Sequence, residues 1–202
     1  YDYLARRGIP TILAWASRPN SEHASVGFDN RAAMRQLADR VIEMGHRRIA
    51  VISGITEGND RAAERLAGIQ GSWLAHGFDL DDLPIIQTPY EIENGAAAFE
   101  RLVQDNVKPT VVMCGNDVLA AGVVSRARDL DFRVPDDISV TGFDDIELAK
   151  HVYPALTTVH VPHRQMGRIA AESLINLIED RKGAVSHQLD VYIKMRESLK
   201  SP

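Results

Sequence analysis

The chain has 202 residues, of which 45% are hydrophobic and 25% are charged, a composition typical of a globular protein. Its formal net charge of -5 at pH 7 argues against nucleic-acid binding by this chain alone, because phosphate binding needs clustered lysine and arginine. No apolar run approaches the roughly 20 residues of a membrane span. Cys114 is the only cysteine, which excludes an internal disulfide and is compatible with a reducing cytoplasm.

Strand and helix patterns alternate along nearly the whole chain. The predicted strands, in chain order, span 9–15, 26–28, 49–52, 83–87, 110–114, 138–141, 157–161 and 189–195. The predicted helices are one that ends at Gly8, one from Asp29 or Asn30 to Gly45, and those at 61–76, 95–103, 117–130 and 166–178. Continuous apolar runs such as 49–52 are typical of strands covered on both faces. Repeated βα units predict right-handed crossovers, and so an α/β fold with parallel sheets flanked by helices.

The segment 133–145 is the most informative part of the chain. Pro135 prevents continuation of a preceding helix, and a short buried strand follows at 138–141. Gly142 then permits a tight turn, after which Asp144 and Asp145 stand at the carboxyl end of the strand. In open parallel α/β sheets that edge is where ligands bind. An aspartate in this position can equally be a helix N-cap, so both interpretations stay open at this point.

Three other polar side chains are predicted near carboxyl ends of strands: Arg65, Tyr90 and Asn116. Tyr90 offers an apolar ring face, Asn116 a donor and an acceptor, and Arg65 a planar fork of donors. Together with a carboxylate, such groups suit vicinal hydroxyls or a polar heterocycle. Each has a structural alternative, which is a surface ion pair for Arg65, a helix cap for Asn116 and loop packing for Tyr90. Trp15, at the end of the first strand, is more often a core residue than a ligand platform.

Catalytic arrangements are poorly supported, so the sequence predicts that the protein is not an enzyme and that it uses no cofactor or metal. It contains no Gly-x-Ser-x-Gly elbow, no Walker phosphate loop and no dinucleotide fingerprint. The seven histidines show no metal-ligand spacing. His46 is expected to finish a helix, and Cys114 to be an inert residue at the end of a buried strand.

Several short segments occur in a fixed order that resembles a known family. They are Phe-Asp-Asn at 28–30, Met-Gly-His-Arg-Arg-Ile-Ala at 44–50, Arg-Leu-Ala-Gly at 65–68, Cys-Gly-Asn-Asp at 114–117, Arg-Val-Pro-Asp-Asp-Ile-Ser-Val at 133–140, Gly-Phe-Asp-Asp at 142–145 and Pro-Ala-Leu-Thr-Thr-Val at 154–159. In these segments the chain resembles the effector-binding region of the lactose-repressor/galactose-repressor (LacI/GalR) transcription regulators. Each segment alone is a weak signal, but together they cover nearly the whole chain and are specific.

The resemblance implies a two-lobed fold like that of type I periplasmic sugar-binding proteins, with a small effector in the cleft between the lobes. It implies that Arg65, Asn116 and Asp144 hold the effector, and that an aromatic ring at Tyr90 stacks on it. Trp15 stands at a first-lobe strand end that commonly faces the cleft. Because the family often has an acid there, the contacts from the first lobe are expected to differ.

The resemblance also implies how the chain divides between the lobes. Residues 1–27 and 158–182 are assigned to the N-terminal lobe, and residues 28–157 and 183–202 to the C-terminal lobe. Relative to the family, the N-terminal helix-turn-helix domain and the first βα units are missing, so the first lobe is expected to be incomplete and strand 9–15 to lack neighbouring strands. Val161 lies where some relatives have a polar residue, which removes one expected hydrogen bond.

The sequence therefore predicts the effector-binding and dimerisation part of a cytoplasmic transcription regulator that senses a sugar or nucleoside-like ligand. It is expected to form a homodimer and to bind operator DNA through a domain outside this chain. Helix 117–130 is a candidate dimer contact because it carries Val118, Leu119, Val123 and Val124, although packing on the sheet explains these residues equally well. A periplasmic sugar-binding protein of a transporter is the alternative with the same fold, and an enzyme with Asp144 or His46 as base is a weaker one.

Overall fold

The structure is a computed structural model that describes residues 2–18, 21–179 and 185–202. The chain divides into two compact units. Unit 1 comprises Tyr1–Asn30 and Val161–Val191, and unit 2 comprises Arg31–His160 and Tyr192–Pro202. The lobe boundaries expected from the sequence fall after residues 27, 157 and 182, of which residue 182 lies outside the described residues. Among the described residues, none of the helices has the length and apolar content that crossing a bilayer requires.

Helices and strands alternate as the sequence predicts, and the α/β class is confirmed. The helices are α1 (Asp2–Arg6), α2 (Asn30–Glu43), α3 (Asp60–Ala75), α4 (Ile92–Gln104), α5 (Asp117–Asp129), α6 (Glu147–His151) and α7 (His163–Ile178). The strands are β1 (Leu13–Ala14), β2 (Ser25–Gly27), β3 (Ile49–Gly54), β4 (Ile85–Thr88), β5 (Val111–Cys114), β6 (Ser139–Thr141), β7 (Thr158–His160), β8 (His187–Gln188) and β9 (Tyr192–Lys194). The sequence missed α6, because a helix of five residues is too short to show a periodicity.

Unit 2 is built on a four-stranded parallel sheet with the order β4-β3-β5-β6. Every residue of β3, β5 and β6 is buried. The sequences of these strands therefore do not alternate between apolar residues and polar residues that face solvent. One hydrophobic cluster joins Ile52, Cys114 and Val140 of these strands to apolar residues of α4 and α5. The short strands β7 and β9 pair with each other in antiparallel fashion. All four parallel strands therefore end at one edge, which is where the polar residues of interest follow.

Helices α4 and α5 pack with their backbones in direct contact. A Cβ atom added to Gly122 would lie 2.0 Å from the carbonyl oxygen of Ile92, and one added to Gly95 would lie 2.3 Å from that of Leu119. Only glycine leaves room for this approach, since any side chain would overlap backbone atoms. The contact fixes the two helices that begin just after Tyr90 and at Asn116, and so supports the carboxyl edge of the sheet.

Unit 1 contains a small parallel sheet with the order β1-β2-β8, on which α7 packs. Strand β1 pairs with β2, which corrects the expectation that strand 9–15 lacks neighbours. Only residues 192–194 of the predicted last strand, 189–195, form a strand, and the short strand β8 lies just before the predicted segment, at 187–188. Strand β8 pairs with β2 in unit 1, whereas β9 pairs with β7 in unit 2. Residues 185–191 thus lie in unit 1, whereas the sequence assigned them to the C-terminal lobe. The sequence could not show this, because β2, the partner of β8, is distant along the chain and no local pattern reveals the pairing.

Thr141 carries a buried hydroxyl that makes no hydrogen bond within the described part of the chain. Folding removes this group from water without providing a partner, which costs about 1–3 kcal/mol. The substitution Thr141→Val is therefore expected to raise the free energy of unfolding by about 1 kcal/mol, as measured by urea denaturation.

The matched control is Thr158→Val, since the hydroxyl of Thr158 donates to the carboxylate of Asp117 at 2.6 Å. That substitution removes a bond to a buried acid and is expected to lower the free energy of unfolding. A loss of stability in Thr141→Val comparable with the loss in Thr158→Val would contradict the assignment of Thr141 as an unsatisfied hydroxyl.

Candidate functional site

Polar side chains gather at the carboxyl edge of the unit 2 sheet. Arg65, on α3, donates from Nη1 to the carbonyl oxygen of Gly115 at 3.0 Å and from Nη2 to Oδ1 of Asp144 at 3.3 Å. Its guanidinium carbon lies 4.0 Å from the centroid of the Phe143 ring. The side chain is almost fully buried, with 7% of its surface exposed. Arg65 is therefore not a surface ion pair, and it links the loops that follow β5 and β6.

Asp144 and Asp145 turn in different directions although they are neighbours in the sequence. Both have left-handed backbone conformations, with φ values of 106° and 54°. Such conformations are costly for residues other than glycine and persist where the surrounding contacts enforce them. Asp144 faces Arg65 and keeps 17% of its side chain exposed, so part of the carboxylate remains accessible.

Asp145 is held by the strands β7 and β9 instead. Its Oδ2 accepts from Nδ1 of His160 at 2.7 Å, and its Oδ1 accepts from Nη2 of Arg196. Burial alone would raise the pKa of Asp145, but the hydrogen bonds from Arg196 and His160 outweigh it and keep the pKa below its usual value. Asp145 therefore has a structural role, and of the two acids only Asp144 is turned toward Arg65.

Tyr90 lies against two glycines that the sequence did not single out. A Cβ atom on Gly54 would lie 2.3 Å from Cζ of the ring, and one on Gly115 would lie 3.5 Å from Cε1. The half-buried ring is thus fixed against the backbone at the ends of β3 and β5. Burial raises the pKa of Tyr90, with Arg65 acting to lower it and Asp144 to raise it. The glycine at position 54 is the signal in the sequence that could have indicated this packing, because any side chain there would overlap the ring.

Asn116 serves as the N-cap of α5. Its Oδ1 accepts a hydrogen bond from the backbone N–H of Leu119 at 2.9 Å. Within the described ranges its amide nitrogen has no hydrogen-bond partner, although only 8% of the residue's surface is exposed. The capping interpretation is thus correct, and it leaves two N–H donors of the same side chain for a ligand.

Trp15 belongs to unit 1, where it directly follows β1 with a left-handed φ of 75°. Its ring is tilted against that of His163, the first residue of α7, with 5.1 Å between the ring centroids. Its carbonyl oxygen accepts from Nδ2 of Asn30 at 2.9 Å. The ring is half-buried and Val161 is fully buried. The contribution of Trp15 to ligand binding stays a prediction.

His46 has a structural role at the other end of unit 2. Its Nδ1 lies 2.8 Å from Oγ1 of Thr110, and its Nε2 lies 2.9 Å from the carbonyl oxygen of Lys200. Burial lowers its pKa, and the bond to Lys200 acts against this shift. The expectation that His46 merely finishes a helix is corrected, since it joins the end of α2 to β5 and the C-terminal segment. Cys114 is fully buried and burial raises its pKa, so its reactive thiolate is disfavoured.

Three of the four apolar residues of α5 named from the sequence are explained within this chain, whereas Val118 is half-buried and outside the cluster. Leu119, Val123 and Val124 belong to the hydrophobic cluster of unit 2 and are at most 5% exposed. The packing alternative therefore accounts for them without a dimer contact. Across the described residues, no three histidine, cysteine or acidic side chains converge in a way that could hold a metal ion.

Four of the five residues singled out from the sequence thus stand on the same edge of unit 2: Arg65, Tyr90, Asn116 and Asp144. The edge combines a buried guanidinium, a partly exposed carboxylate, amide donors and a phenol ring. Hydrogen bonds to charged groups such as these contribute roughly 1.5–3 kcal/mol each. An arrangement of this kind can bind hydroxyl groups and a flat or ring-shaped molecule, but it contains no nucleophile–base pair.

Comparison with known proteins gives a consistent result. Residues 38–199 match the family of periplasmic binding protein-like domains. The HTH-type transcriptional repressor PurR of Vibrio atlanticus (strain LGP32) is 37% identical over 173 residues, which are 84% of this chain and 50% of the repressor. The chain thus spans about half the length of this curated relative.

Solved structures show the same likeness. A transcriptional regulator of the LacI family from Burkhoderia phymatum superposes with a TM-score of 0.90 at 32% identity, covering 98% of this chain and 72% of that one. The complex of the transcriptional regulator CelR with cellobiose superposes with a TM-score of 0.86 at 30% identity, covering 96% of this chain and 60% of that one.

Proposed function

The chain belongs to the family of periplasmic binding protein-like domains, as an effector-binding domain of the LacI/GalR type, and from this premise we propose that it senses a small polar effector through Arg65, Tyr90, Asn116 and Asp144. The observation that carries the proposal is the buried Arg65, which reaches both Gly115 and Asp144 at the carboxyl edge of the sheet. A planar donor fork beside a carboxylate suits a molecule with neighbouring hydroxyl groups.

A sugar or related polyol is the proposed effector, and a nucleoside is the second candidate. The aromatic ring, the acid, the amide and the guanidinium suit both classes. The relative whose structure is a complex with cellobiose supports the first class. The position of the effector between two lobes and the contribution of Trp15 remain predictions of the family resemblance.

The proposed mechanism is a population shift in a dimeric, cytoplasmic regulator. Effector binding would favour one arrangement of the lobes and so change the spacing of two DNA-binding domains on an operator. A coupling free energy of about 1–3 kcal/mol would change DNA affinity roughly 5–150-fold. Support comes from the relatives named above, which are transcriptional regulators, and this favours a regulator over the periplasmic sugar-binding protein of a transporter. The same relatives and the lack of a nucleophile–base pair favour a protein that is not an enzyme.

A thermal-shift screen tests the proposal directly. Pentoses, hexoses, disaccharides including cellobiose, and nucleosides are added one at a time to the purified protein. An effector at a hundred times its Kd stabilises the folded state by about 2.7 kcal/mol, which raises Tm by roughly 5–10 °C for a chain of this size. Failure of every sugar and every nucleoside to raise Tm would contradict the proposed effector classes. Turnover of a bound compound would instead support an enzyme.

A further inference from the structure

Residues 115–117, where β5 leads into α5, contact Arg65, Tyr90 and the loop that carries Asp144. The carbonyl oxygen of Gly115 accepts from Arg65, and the side chain of Asn116 caps α5 while leaving its amide donors available. The third residue, Asp117, was not identified from the sequence as functional. It is fully buried, which is unusual for an acid that has no cationic partner in the bonds described below.

Asp117 holds the loop 142–146, here called the acid loop because it carries Asp144 and Asp145. The backbone N–H of Asp117 donates to the carbonyl oxygen of Phe143 at 2.9 Å. Its Oδ2 accepts from the backbone N–H of Ile146, also at 2.9 Å. These two bonds lie on either side of Asp144 and Asp145 in the chain, and so restrict the backbone conformations that the two residues can adopt.

Two further contacts hold the carboxylate of Asp117 itself. Its Oδ1 accepts from the hydroxyl of Thr158 on β7 at 2.6 Å. The backbone of Gly142 lies so close that a Cβ atom there would stand 2.2 Å from the same oxygen. Gly142 is therefore needed for the approach of the carboxylate as well as for the turn. The acid loop wraps around a fixed carboxyl group that is hydrogen-bonded to β7.

We propose that Asp117 is a positioning residue of the site, whose buried carboxylate sets the course of the acid loop and thereby the place where Asp144 meets Arg65 and the effector. The inference rests on the proposed function for the role of Asp144, but the geometry of the loop can be tested without a ligand. It helps to account for two left-handed aspartates in succession, because the Asp117 bonds on either side of them act together with the bond from the backbone N–H of Asp144 to Val159 and the side-chain bonds of Asp145.

The surroundings of the carboxyl group of Asp117 act on its pKa in opposite directions. Burial raises its pKa to about 7, whereas the bonds from Thr158 and Ile146 lower it and the charges of Asp144 and Asp145 raise it. The thiol of Cys114 on β5 is the other titratable group that senses the same carboxylate.

Amide hydrogen exchange, followed by NMR on the ligand-free protein, tests the inference. In Asp117→Ala the N–H of Ile146 loses its acceptor, so its exchange is expected to become about tenfold faster or more, while amides in the middle of α4 keep their protection. The amide resonances of Asp144 and Asp145 should shift in the same variant. In Asp117→Asn one oxygen can still accept from Ile146 and the amide can donate to Thr158, so protection at Ile146 is expected to return.

The variant Thr158→Val is the matched control, because it removes a bond from the same carboxylate and leaves in place the backbone bonds from the acid loop to Thr157 and Val159. It should leave exchange at Ile146 within a factor of about two of the wild-type rate when both proteins are folded. Unchanged exchange at Ile146 in Asp117→Ala, or a uniform rise over the whole of unit 2, would overturn the inference. Neither result depends on an effector, so the thermal-shift screen tests the proposed function separately.

The dependence of stability on pH gives a second readout. Since the pKa of Asp117 is about 7 in the folded protein and its ordinary value is 3.8, its contribution to stability is fully present below pH 3.8 and is lost as pH rises through about 7. The Asp117→Asn variant has no such group. Its stability relative to wild type is therefore expected to increase from pH 5 to pH 8, and a constant difference over this range would contradict the buried state of the carboxylate.

Discussion

Replacement of Arg65 by alanine is expected to abolish effector binding. The change removes the donors to Gly115 and Asp144 and the cation above the Phe143 ring. If Arg65 donates two hydrogen bonds to the effector and each contributes roughly 1.5–3 kcal/mol, their loss lowers affinity by roughly 100-fold or more. Isothermal titration calorimetry with the compound that raises Tm most in the screen measures the effect. The fold is expected to survive, since Asp144 keeps access to water once its partner is gone.

Two other variants make this result specific. Arg101→Ala on α4 removes an exposed arginine whose partner is Asp105, at 3.5 Å, and should bind the compound like wild type. Arg65→Lys keeps the positive charge but cannot donate to both acceptors as a planar fork, so an intermediate loss is expected. Unchanged affinity in Arg65→Ala, with unfolding still cooperative, would remove Arg65 from the site.

The substitution Gly122→Ala is expected to destabilise unit 2 strongly. The new methyl group would stand 2.0 Å from the carbonyl oxygen of Ile92 and 2.8 Å from the backbone nitrogen of Ala96. Neither atom belongs to a flexible side chain, so α4 and α5 must move apart. Overpacking of this kind costs about 3 kcal/mol, which corresponds to a fall in Tm of roughly 6–12 °C for a chain of this length. Differential scanning calorimetry measures the change.

Gly71 offers a control within the same unit. It lies in the interior of α3, and a Cβ atom there would meet no other atom within 4 Å. Gly71→Ala should therefore stabilise the protein by about 0.5–1 kcal/mol through helix propensity alone. Equal and small effects of Gly71→Ala and Gly122→Ala would show that the two helices are not in backbone contact. Because α5 begins with the cap at Asn116, Gly122→Ala is also expected to weaken effector binding.

The family and the fold class could be predicted from the sequence, and both are confirmed. Buried apolar runs, glycine stops and caps are local signals, and they located the strands of the parallel sheet to within a few residues. The polar residues that follow those strands were found for the same reason. The carboxyl ends of parallel strands must share one edge, so Tyr90, Asn116 and Asp144 could be expected to lie near one another before any coordinates were known.

The sequence could not show which of these residues touch. Taken alone, Arg65 suggests an ion pair on a helix surface, yet it binds groups that are 50 and 79 positions further along the chain. In the sequence, Asp117 looks like an acidic residue in the first turn of a helix. Its hydrogen bond with Thr158, by contrast, joins residues that are 41 positions apart. Likewise, alternation over 189–195 predicts one strand, whereas only residues 192–194 pair with β7, and the strand that pairs with β2 lies just before this segment, at 187–188.

The order of elements, the class of the sheet and the edge that carries function were thus determined by the sequence itself, because hydrophobic periodicity and turn chemistry act over a few residues. The burial of Arg65, the opposite directions of Asp144 and Asp145, and the anchoring of their loop by Asp117 were decided only by the tertiary structure. Each depends on atoms brought together from distant parts of the chain. There, the removal of water makes a hydrogen bond to a charged group strong and makes an unpaired polar group costly.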